Sequence, residues 1–404
     1  MVRIMEGIRV LEVASWTYVP AAGAVLAEWG ADVIKIEHPD TGDPQRGLVT
    51  SGLVPSGPGG VNHMMELPNR GKRSVAIDLR SPEGRQVLLE IAAGSDVFLT
   101  NLLPRARRTL GVDVDDIRAA NPDIVYVRGS GQGQRGPEAE KGGFDGASFW
   151  YRAVADILTP EGDWPVPPPG PAFGDLLGGM TIAGGICAAL FHRERTGEAL
   201  VVDNSLLSTA MWATGASILA AGLFGISKLP SGDRAAGPNP LVNTYRTGDG
   251  RYLSLMMLQA DRYWPELVQA IGRPELADDL RFSDGATRYQ NRRECVAELD
   301  QTFATRPLDE WREILAGIQG VWAPVETSGE LLTDPQAVAN GYTTEVTHSG
   351  GTKFRLVPSP LQFDEQPAAL SPAPEHGQHT DEVLLELGLD MDRILDLKVK
   401  GAIL

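Results

Sequence analysis

The segment Pro171-Ala172-Phe173-Gly174-Asp175-Leu176-Leu177-Gly178-Gly179-Met180 sets one carboxylate among glycines at the foot of an apolar run. An aspartate with an ordinary pKa of ~3.9 is ionised at neutral pH, so it can attack an activated acyl carbon without a general base to prepare it. The glycines leave it sterically open, and a helix N-terminus favours its charged form. Aspartate is also a favoured helix cap, because its oxygen accepts the unpaired amides of the first turn. The residues alone support both roles. Leu176, Leu177, Met180, Ile182, Ala183, Ile186, Ala189 and Leu190 recur at three- and four-residue steps up to Arg193-Glu194-Arg195-Thr196-Gly197. That spacing predicts a helix with Asp175 at or near its N-cap.

The elements expected to position this carboxylate alternate in the α/β manner. Ile8 to Val13, Asp32 to Glu37, Ser74 to Leu79, Asp96 to Thr100 and Ile124 to Arg128 read as strands, and Ala21 to Trp29 as a helix. Ser81-Pro82-Glu83 reads as a helix start, with serine as cap and proline at the first helical position. Strands separated by helices imply a largely parallel sheet covered on both faces. A nicotinamide-binding site would need a glycine fingerprint after the first strand, but Val13 is followed by Ala14-Ser15-Trp16-Thr17-Tyr18-Val19-Pro20. The glycine-rich Gly129 to Pro137 stretch opens no clear amphipathic helix and reads as an active-site loop or a flexible turn.

From about Gly225 the pattern changes. Val242 to Thr247 and Arg251 to Leu258 flank a Gly248-Asp249-Gly250 turn, a hairpin signal, and helical segments follow at Asp261 to Ile271, Asn291 to Phe303 and Leu308 to Ala316. These suggest a smaller α+β domain. The proline-rich stretches Val357 to Pro360 and Ala368 to Pro374 predict an extended path, and Thr380 to Leu387 a helix docking on the first domain.

A chain of 404 residues with a formal net charge of -17 can bury a large core and reads as two domains. The acidic balance argues against duplex nucleic acid or an anionic membrane as partner. Cys187 and Cys295 match no metal-ligand spacing, and Cys187 reads as a buried thiol within the apolar helix. No metal is expected. The N-terminus lacks a signal-peptide pattern, and no window approaches the apolar length of a membrane span. The longest candidate, Leu206 to Phe224, is interrupted by polar residues and reads as a buried helix. A soluble cytoplasmic protein is expected.

Several motifs then align in order along nearly the whole chain. Gly30-Ala31-Asp32-Val33-Ile34-Lys35-Ile36-Glu37-His38-Pro39 with Gly42-Asp43, Gly71-Lys72-Arg73-Ser74, the Gly174-Asp175 segment and His379-Thr380-Asp381-Glu382-Val383-Leu384 resemble the family III CoA-transferases, the formyl-CoA transferase and carnitine CoA-transferase group. The resemblance implies a discontinuous Rossmann-like large domain from residues 1–225 and 330–404, a small α+β domain from residues 226–329, and a homodimer interlinked like rings. It implies acyl-CoA and a carboxylic acid as substrates, with no tightly bound cofactor. It also implies that Asp175 is a covalent nucleophile that takes the acyl group as a mixed anhydride and then CoA as a thioester.

The same family contains α-methylacyl-CoA racemases, in which a histidine precedes an aspartate after the glycine loop. This chain reads Lys141-Gly142-Gly143-Phe144-Asp145-Gly146, with Phe144 at the histidine position, which favours transfer. Asp145 matches an acidic position of the transferases, although aspartate before glycine is also an ordinary turn former. Carried over position by position, the CoA contacts fall on His38, Leu79, Arg80 and Asn101, with Arg108 beside Thr109, which occupies a basic position of the family, and Lys141 one residue from another. For the basic residues among them, a solvated surface charge is the competing reading. Thr17 stands where formyl-CoA transferases carry a glutamine near the reacting group, and Gln259 where they carry a glycine-rich flap. Trp16, Tyr18, Phe144, Phe149, Trp150, Tyr151, Met256 and Met257 suggest a bulkier apolar or aromatic acyl group, each being equally a core candidate. A non-catalytic acyl-CoA binder on the same fold is the alternative of a different class.

Overall fold

The computed structural model describes residues 2–229 and 233–404. Two compact units divide the chain, Met1–Leu229 with Pro335–Leu404, and Pro230–Asp334.

The first unit is built on six parallel strands, β1 (Arg9–Val13), β2 (Asp32–Glu37), β3 (Arg73–Ala76), β4 (Val97–Thr100), β5 (Val125–Ser130) and β6 (Val201–Ser205), in the order β3-β2-β1-β4-β5-β6. Successive strand residues face opposite sides, so a sheet covered twice must be apolar at nearly every position. Val10, Val33, Val97, Leu99, Val125 and Val127 enter one core with the Tyr18–Glu28 and Phe173–Thr196 helices. Leu11, Ile34, Phe98 and Tyr126 enter the other, with the Pro82–Ala93 helix and the chain's C-terminal helices. Strand order runs outward in both directions from β1, so the β1 and β4 connections leave on opposite faces. Such a switch point opens a crevice at the carboxyl ends of these strands.

Three of the motifs that carry the resemblance, those around Lys35, Lys72 and His379, converge on the β3 side of this sheet. Lys72 Nζ lies 2.8 and 2.7 Å from the two Glu12 oxygens and 2.8 Å from the Pro20 carbonyl, and all of it is buried. Lys35 Nζ reaches Asp43 Oδ2 and the Ala14 carbonyl, each at 2.8 Å. Glu37 accepts the Ser74 hydroxyl at 2.7 Å and is clasped by Arg46, and its carboxyl is held at about 2 despite burial, chiefly by Arg46 and Lys35. Ser74 Oγ accepts the Gly377 amide at 2.9 Å, and the His379 amide donates to the Ser74 carbonyl at 2.9 Å. A far C-terminal segment is thereby tied to β3.

The second unit is a small antiparallel sheet, β7 (Val242–Arg246), β8 (Tyr252–Met256) and β9 (Trp322–Pro324), covered by helices around Trp264, Phe282, Phe303 and Trp311.

Four expectations need correction. β6 lies outside the expected strand series, because Val201-Val202-Asp203-Asn204-Ser205 alternates only weakly. Leu206 to Phe224 is not one buried helix: Leu206–Ala213 and Gly215–Phe224 meet at 69°, and the second buries none of its residues. The Phe173–Thr196 helix does reach membrane-spanning length and hydropathy. Its Gly178, Gly179, Ile182, Ala183 and Ile186 face is nonetheless packed in the first core. Cys187, on the same helix, packs against that core but is only partly buried.

Candidate active site

The crevice at the carboxyl ends of β1, β4 and β5 is a cavity of about 390 Å³, and Asp175 lines it. Ser15 and Trp16 follow β1, Asn101 and Leu102 follow β4, and Gly129 to Gly131 close β5. Tyr18, Phe144 and Leu206 complete much of the apolar wall.

Asp175 is not the helix cap. The Phe173–Thr196 helix is capped at Ala172, whose backbone is left-handed (φ 62°) and makes no side-chain capping bond, so Asp175 sits in the first turn. The cap comes from elsewhere in the chain: Asp145 Oδ1 accepts the Gly174 amide at 3.0 Å. A Cβ on Gly174 would lie 2.4 Å from that oxygen and 2.3 Å from the Phe149 ring, so only glycine admits this contact.

Nor does Asp175 keep an ordinary carboxylate's proton affinity. Burial first, and then the Asp145 carboxylate, push it up to about 7. Burial also raises Asp145, against the pull of the Gly174 and Phe173 amides. The helix N-terminus alone does not offset two carboxylates withdrawn from water at one spot. Among the described residues no hydrogen bond engages the Asp175 carboxylate, which faces the cavity ready to react rather than tied into the fold.

Beneath it lies Tyr18, whose ring passes so close to the helix that a Cβ on Gly178 would stand 2.3 Å from it. The Tyr18 hydroxyl donates to Asn204 Oδ1, which also accepts Thr209 Oγ1 at 3.1 Å. Burial and the nearby Asp175 raise the phenol well above its usual range, so Tyr18 stays a neutral donor.

The loop after β1 carries the other wall. Trp16 adopts a left-handed backbone (φ 68°), unusual for a bulky residue. Its amide donates to Asp43 Oδ1 at 3.1 Å, and Asn101 holds Ser15 on both sides, accepting its amide at 3.1 Å and donating to its carbonyl at 2.7 Å. The Trp16 ring meets Phe144 edge-on, with centroids 5.6 Å apart.

Of the residues singled out from sequence, Asp175 and Asn101 share the cavity, and Asp145 reaches it through Gly174. Thr17 does not line it; it is buried, donating to Gln45 Oε1 at 2.9 Å. His38, Leu79 and Arg80 lie beyond the carboxyl ends of β2 and β3, where His38 Nε2 is 3.9 Å from Asp78 and Arg80 is exposed. Arg108 donates to Glu140 at 2.7 Å and Lys141 to Glu138 at 3.0 Å, both at the surface. Gln259 belongs to the second unit, where it precedes the Ala260–Ala270 helix and lines a separate cavity of about 500 Å³ with Pro240, Asp261 and Arg288. Of the suggested aromatic and methionine lining, Trp16, Tyr18 and Phe144 face the first cavity, while Phe149, Trp150 and Met257 are core. Asn204 escaped sequence reasoning, while Tyr18 was read only as apolar lining and Asp43 only as part of the Gly42-Asp43 motif.

The sequence model of CoA-transferase family III matches residues 5–380. The (R)-2-hydroxy-4-methylpentanoate CoA-transferase of Clostridioides difficile is 31% identical over 98% of this chain and 98% of its own. The cinnamoyl-CoA:phenyllactate CoA-transferase of Clostridium sporogenes is 31% identical, covering 98% of this chain and 96% of its own. A crystal structure of a CAIB/BAIF family protein from Brucella suis superposes with a TM-score of 0.81 at 27% identity, covering 95% of this chain and 99% of that one. A parallel six-stranded α/β unit with Asp175 opening on its switch-point crevice agrees with this kinship, and the chain belongs to the family III CoA-transferases.

Proposed function

We propose that this enzyme moves CoA from an acyl-CoA to a carboxylic acid through covalent intermediates on Asp175. One Asp175 oxygen attacks the thioester carbonyl carbon, the C–S bond breaks, and CoA leaves as thiolate, giving a mixed anhydride. The thiolate attacks the aspartyl carbonyl and releases the donor as its carboxylate, leaving CoA on Asp175 as a thioester. The acceptor carboxylate then attacks that aspartyl carbon, the C–S bond breaks and CoA leaves again as thiolate, giving a second anhydride. Attack of CoA on the acceptor's acyl carbon releases the new thioester and regenerates Asp175. The observation that carries this reading is a carboxylate at a cavity of about 390 Å³ that takes no hydrogen bond from the described residues. A nucleophile tied up by capping bonds would be a weaker one.

Phe144 supports transfer over racemisation, since it brings a phenyl ring to the position of a proton-transferring group. The carboxyl ends of β2 and β3, with His38, Leu79 and Arg80, are offered as the nucleotide edge, and Arg80 has no ion pair there among the described residues. Arg108 and Lys141 would have to leave Glu140 and Glu138 to meet a phosphate. Leu177, Phe191, Trp212, Leu219, Leu223 and Phe224 are exposed on three apolar helices, which supports an obligate homodimer covering them. The relatives' named acids, (R)-2-hydroxy-4-methylpentanoate and phenyllactate, make 2-hydroxy acids the first acceptors to assay.

The deciding experiment is peptide mass spectrometry after incubation with acyl-CoA and a hydroxylamine quench. A hydroxamate confined to the Asp175 peptide is expected. Transfer that persists in Asp175→Ala, or an unmodified peptide beside solvent deuterium at the α-carbon, would overturn the reading.

A further inference from the structure

The cavity beside Asp175 has an unusual electrostatic composition. Its lining contains one charged group, Asp175 itself, and no Lys, Arg or His side chain among the described residues. Arg107, buried next to the lining residue Ala106, is committed elsewhere, donating to Asp113 at 3.0 Å and to the Leu102 carbonyl at 2.8 Å. A second carboxylate on the acyl chain would therefore be withdrawn from water beside Asp175 with no partner, and an unpaired buried charge is among the most costly things a site can hold.

The apolar side of the same cavity is built with some effort. Trp16 adopts a left-handed backbone (φ 68°), a conformation unfavourable to a bulky non-glycine residue. It is held there from two directions, by Asp43 on its own amide and by Asn101 on Ser15. Asp43 is in turn fixed by Lys35 at 2.8 Å. The fold thus spends a strained conformation and a buried ion pair on aiming one indole, and backbone strain that neighbours over-determine points to function. Its partner, Phe144, is 62% exposed despite its size and follows Gly142 and Gly143, both at the cavity wall. A phenyl ring left that open at the mouth of a pocket is available to close on an apolar ligand.

We propose that Trp16 and Phe144 form an edge-to-face wall that selects the acyl group, and that the group it takes is uncharged and branched or aromatic rather than dicarboxylic. The proposal rests on the transferase reading above and names the substrate class of that same site. Trp16 and Phe144 are specificity-determining residues in it, and Asp43 is a positioning residue acting through Trp16.

The test ranks kcat/KM for 4-methylpentanoyl-CoA, 3-phenylpropionyl-CoA, acetyl-CoA, succinyl-CoA and glutaryl-CoA with one common acceptor acid. In parallel, calorimetry on Asp175→Asn protein gives Kd for the same thioesters. The wild type is expected to favour the branched and aromatic donors over the dicarboxylic ones by at least about 100-fold, and Phe144→Ala and Trp16→Ala to shrink the aromatic-to-acetyl ratio by about 10–200-fold. Loss of packing alone would lower all donors together and leave that ratio unmoved. A wild-type preference for succinyl-CoA or glutaryl-CoA, or an unchanged ratio in both variants, overturns the wall. Absence of turnover with every donor alongside a retained ranking in Kd overturns the transferase reading and leaves the wall standing; equal Kd values overturn the wall itself.

Discussion

The Asp145 carboxylate accepts the Gly174 amide at 3.0 Å, one residue before Asp175, so one side chain both anchors the Phe173–Thr196 helix and opposes ionisation of Asp175. These two effects can be separated by substitution. Asparagine at this position keeps an oxygen for the Gly174 amide and removes the charge; alanine removes both.

In the proposed mechanism transfer requires ionised Asp175, so the rate of the first acylation is expected to rise with pH through about 7. Asp145→Asn removes the repelling charge and should move this acidic limb to lower pH, raising activity several-fold near pH 5.5. Asp145→Ala should move it likewise and also cost about 1 kcal/mol of stability through the lost cap. Single-turnover pH profiles of the variants check this, and an unmoved limb in both would contradict the assigned cause.

The same proton couples to folding. Asp175 binds its proton at about 7 in the folded chain and near ~3.9 when unfolded. Between those values the folded state holds a proton that the unfolded state has lost, so stability falls as pH rises from about 4 to about 7 and is level above. Asp175→Asn removes this penalty. It should be the more stable protein by about 1–3 kcal/mol at pH 8, after allowance for partial solvent screening, with the gain vanishing near pH 4. Urea unfolding at the two pH values measures it, and a variant less stable than wild type at pH 8 would refute it.

Much of this site was legible in the sequence, and what was not has identifiable causes. The Phe173–Thr196 helix follows from local spacing, and the strands of the sheet are apolar on both faces, so β1 to β5 are readable from short windows. The cap on that helix is not local. It arrives from Asp145, and nothing in the window around Asp175 signals that its first-turn amides are satisfied by another segment. The proton affinity of Asp175 depends on the same encounter, so an ordinary carboxylate was the only value that spacing could support. Asn101 and Asp43 were visible as motif residues, but their work on the Ser15 and Trp16 backbone needs the β1 and β4 ends side by side. Leu206 to Phe224 differs because a largely apolar composition does not distinguish a buried helix from a bent pair with an exposed face.

Tyr18 is clasped between two glycine backbones. A Cβ on Gly178 would lie 2.3 Å from one ring edge, and a Cβ on Gly129 would lie 3.0 Å from the other and 2.1 Å from Val19. The ring has no direction in which to yield. Gly178→Ala should therefore cost about 1–3 kcal/mol by overpacking and displace Tyr18 from the cavity floor, lowering kcat more than it changes KM. Thermal unfolding with steady-state kinetics reads both, and wild-type values for each would show that the helices part without consequence.

The last prediction concerns the buried charges that hold the Trp16 loop. Glu12 faces Lys72 at 2.7 Å and Lys35 at 3.3 Å with no solvent contact, and Lys35 carries the link onward to Asp43 and so to the Trp16 amide. Removing one partner strands a charge in the interior. Lys72→Met should cost about 3–5 kcal/mol, because Glu12 loses its closest cation while Pro20 loses the donor to its carbonyl. Pairing it with Glu12→Gln removes the stranded charge and should recover part of the loss, since the penalty lies in the unpaired carboxylate more than in the absent bond. Activity separates the two roles of the network. In the double variant Lys35 still holds Asp43, so the Trp16 backbone keeps its anchor and kcat/KM should recover along with stability. Asp43→Ala leaves the Glu12–Lys72 pair intact but frees the Trp16 amide, and should lower kcat/KM for bulky acyl donors more than for acetyl-CoA. A double-mutant cycle with zero coupling, or an Asp43→Ala enzyme that loses activity equally toward all donors, would show that these charges stabilise the sheet edge without aiming the loop.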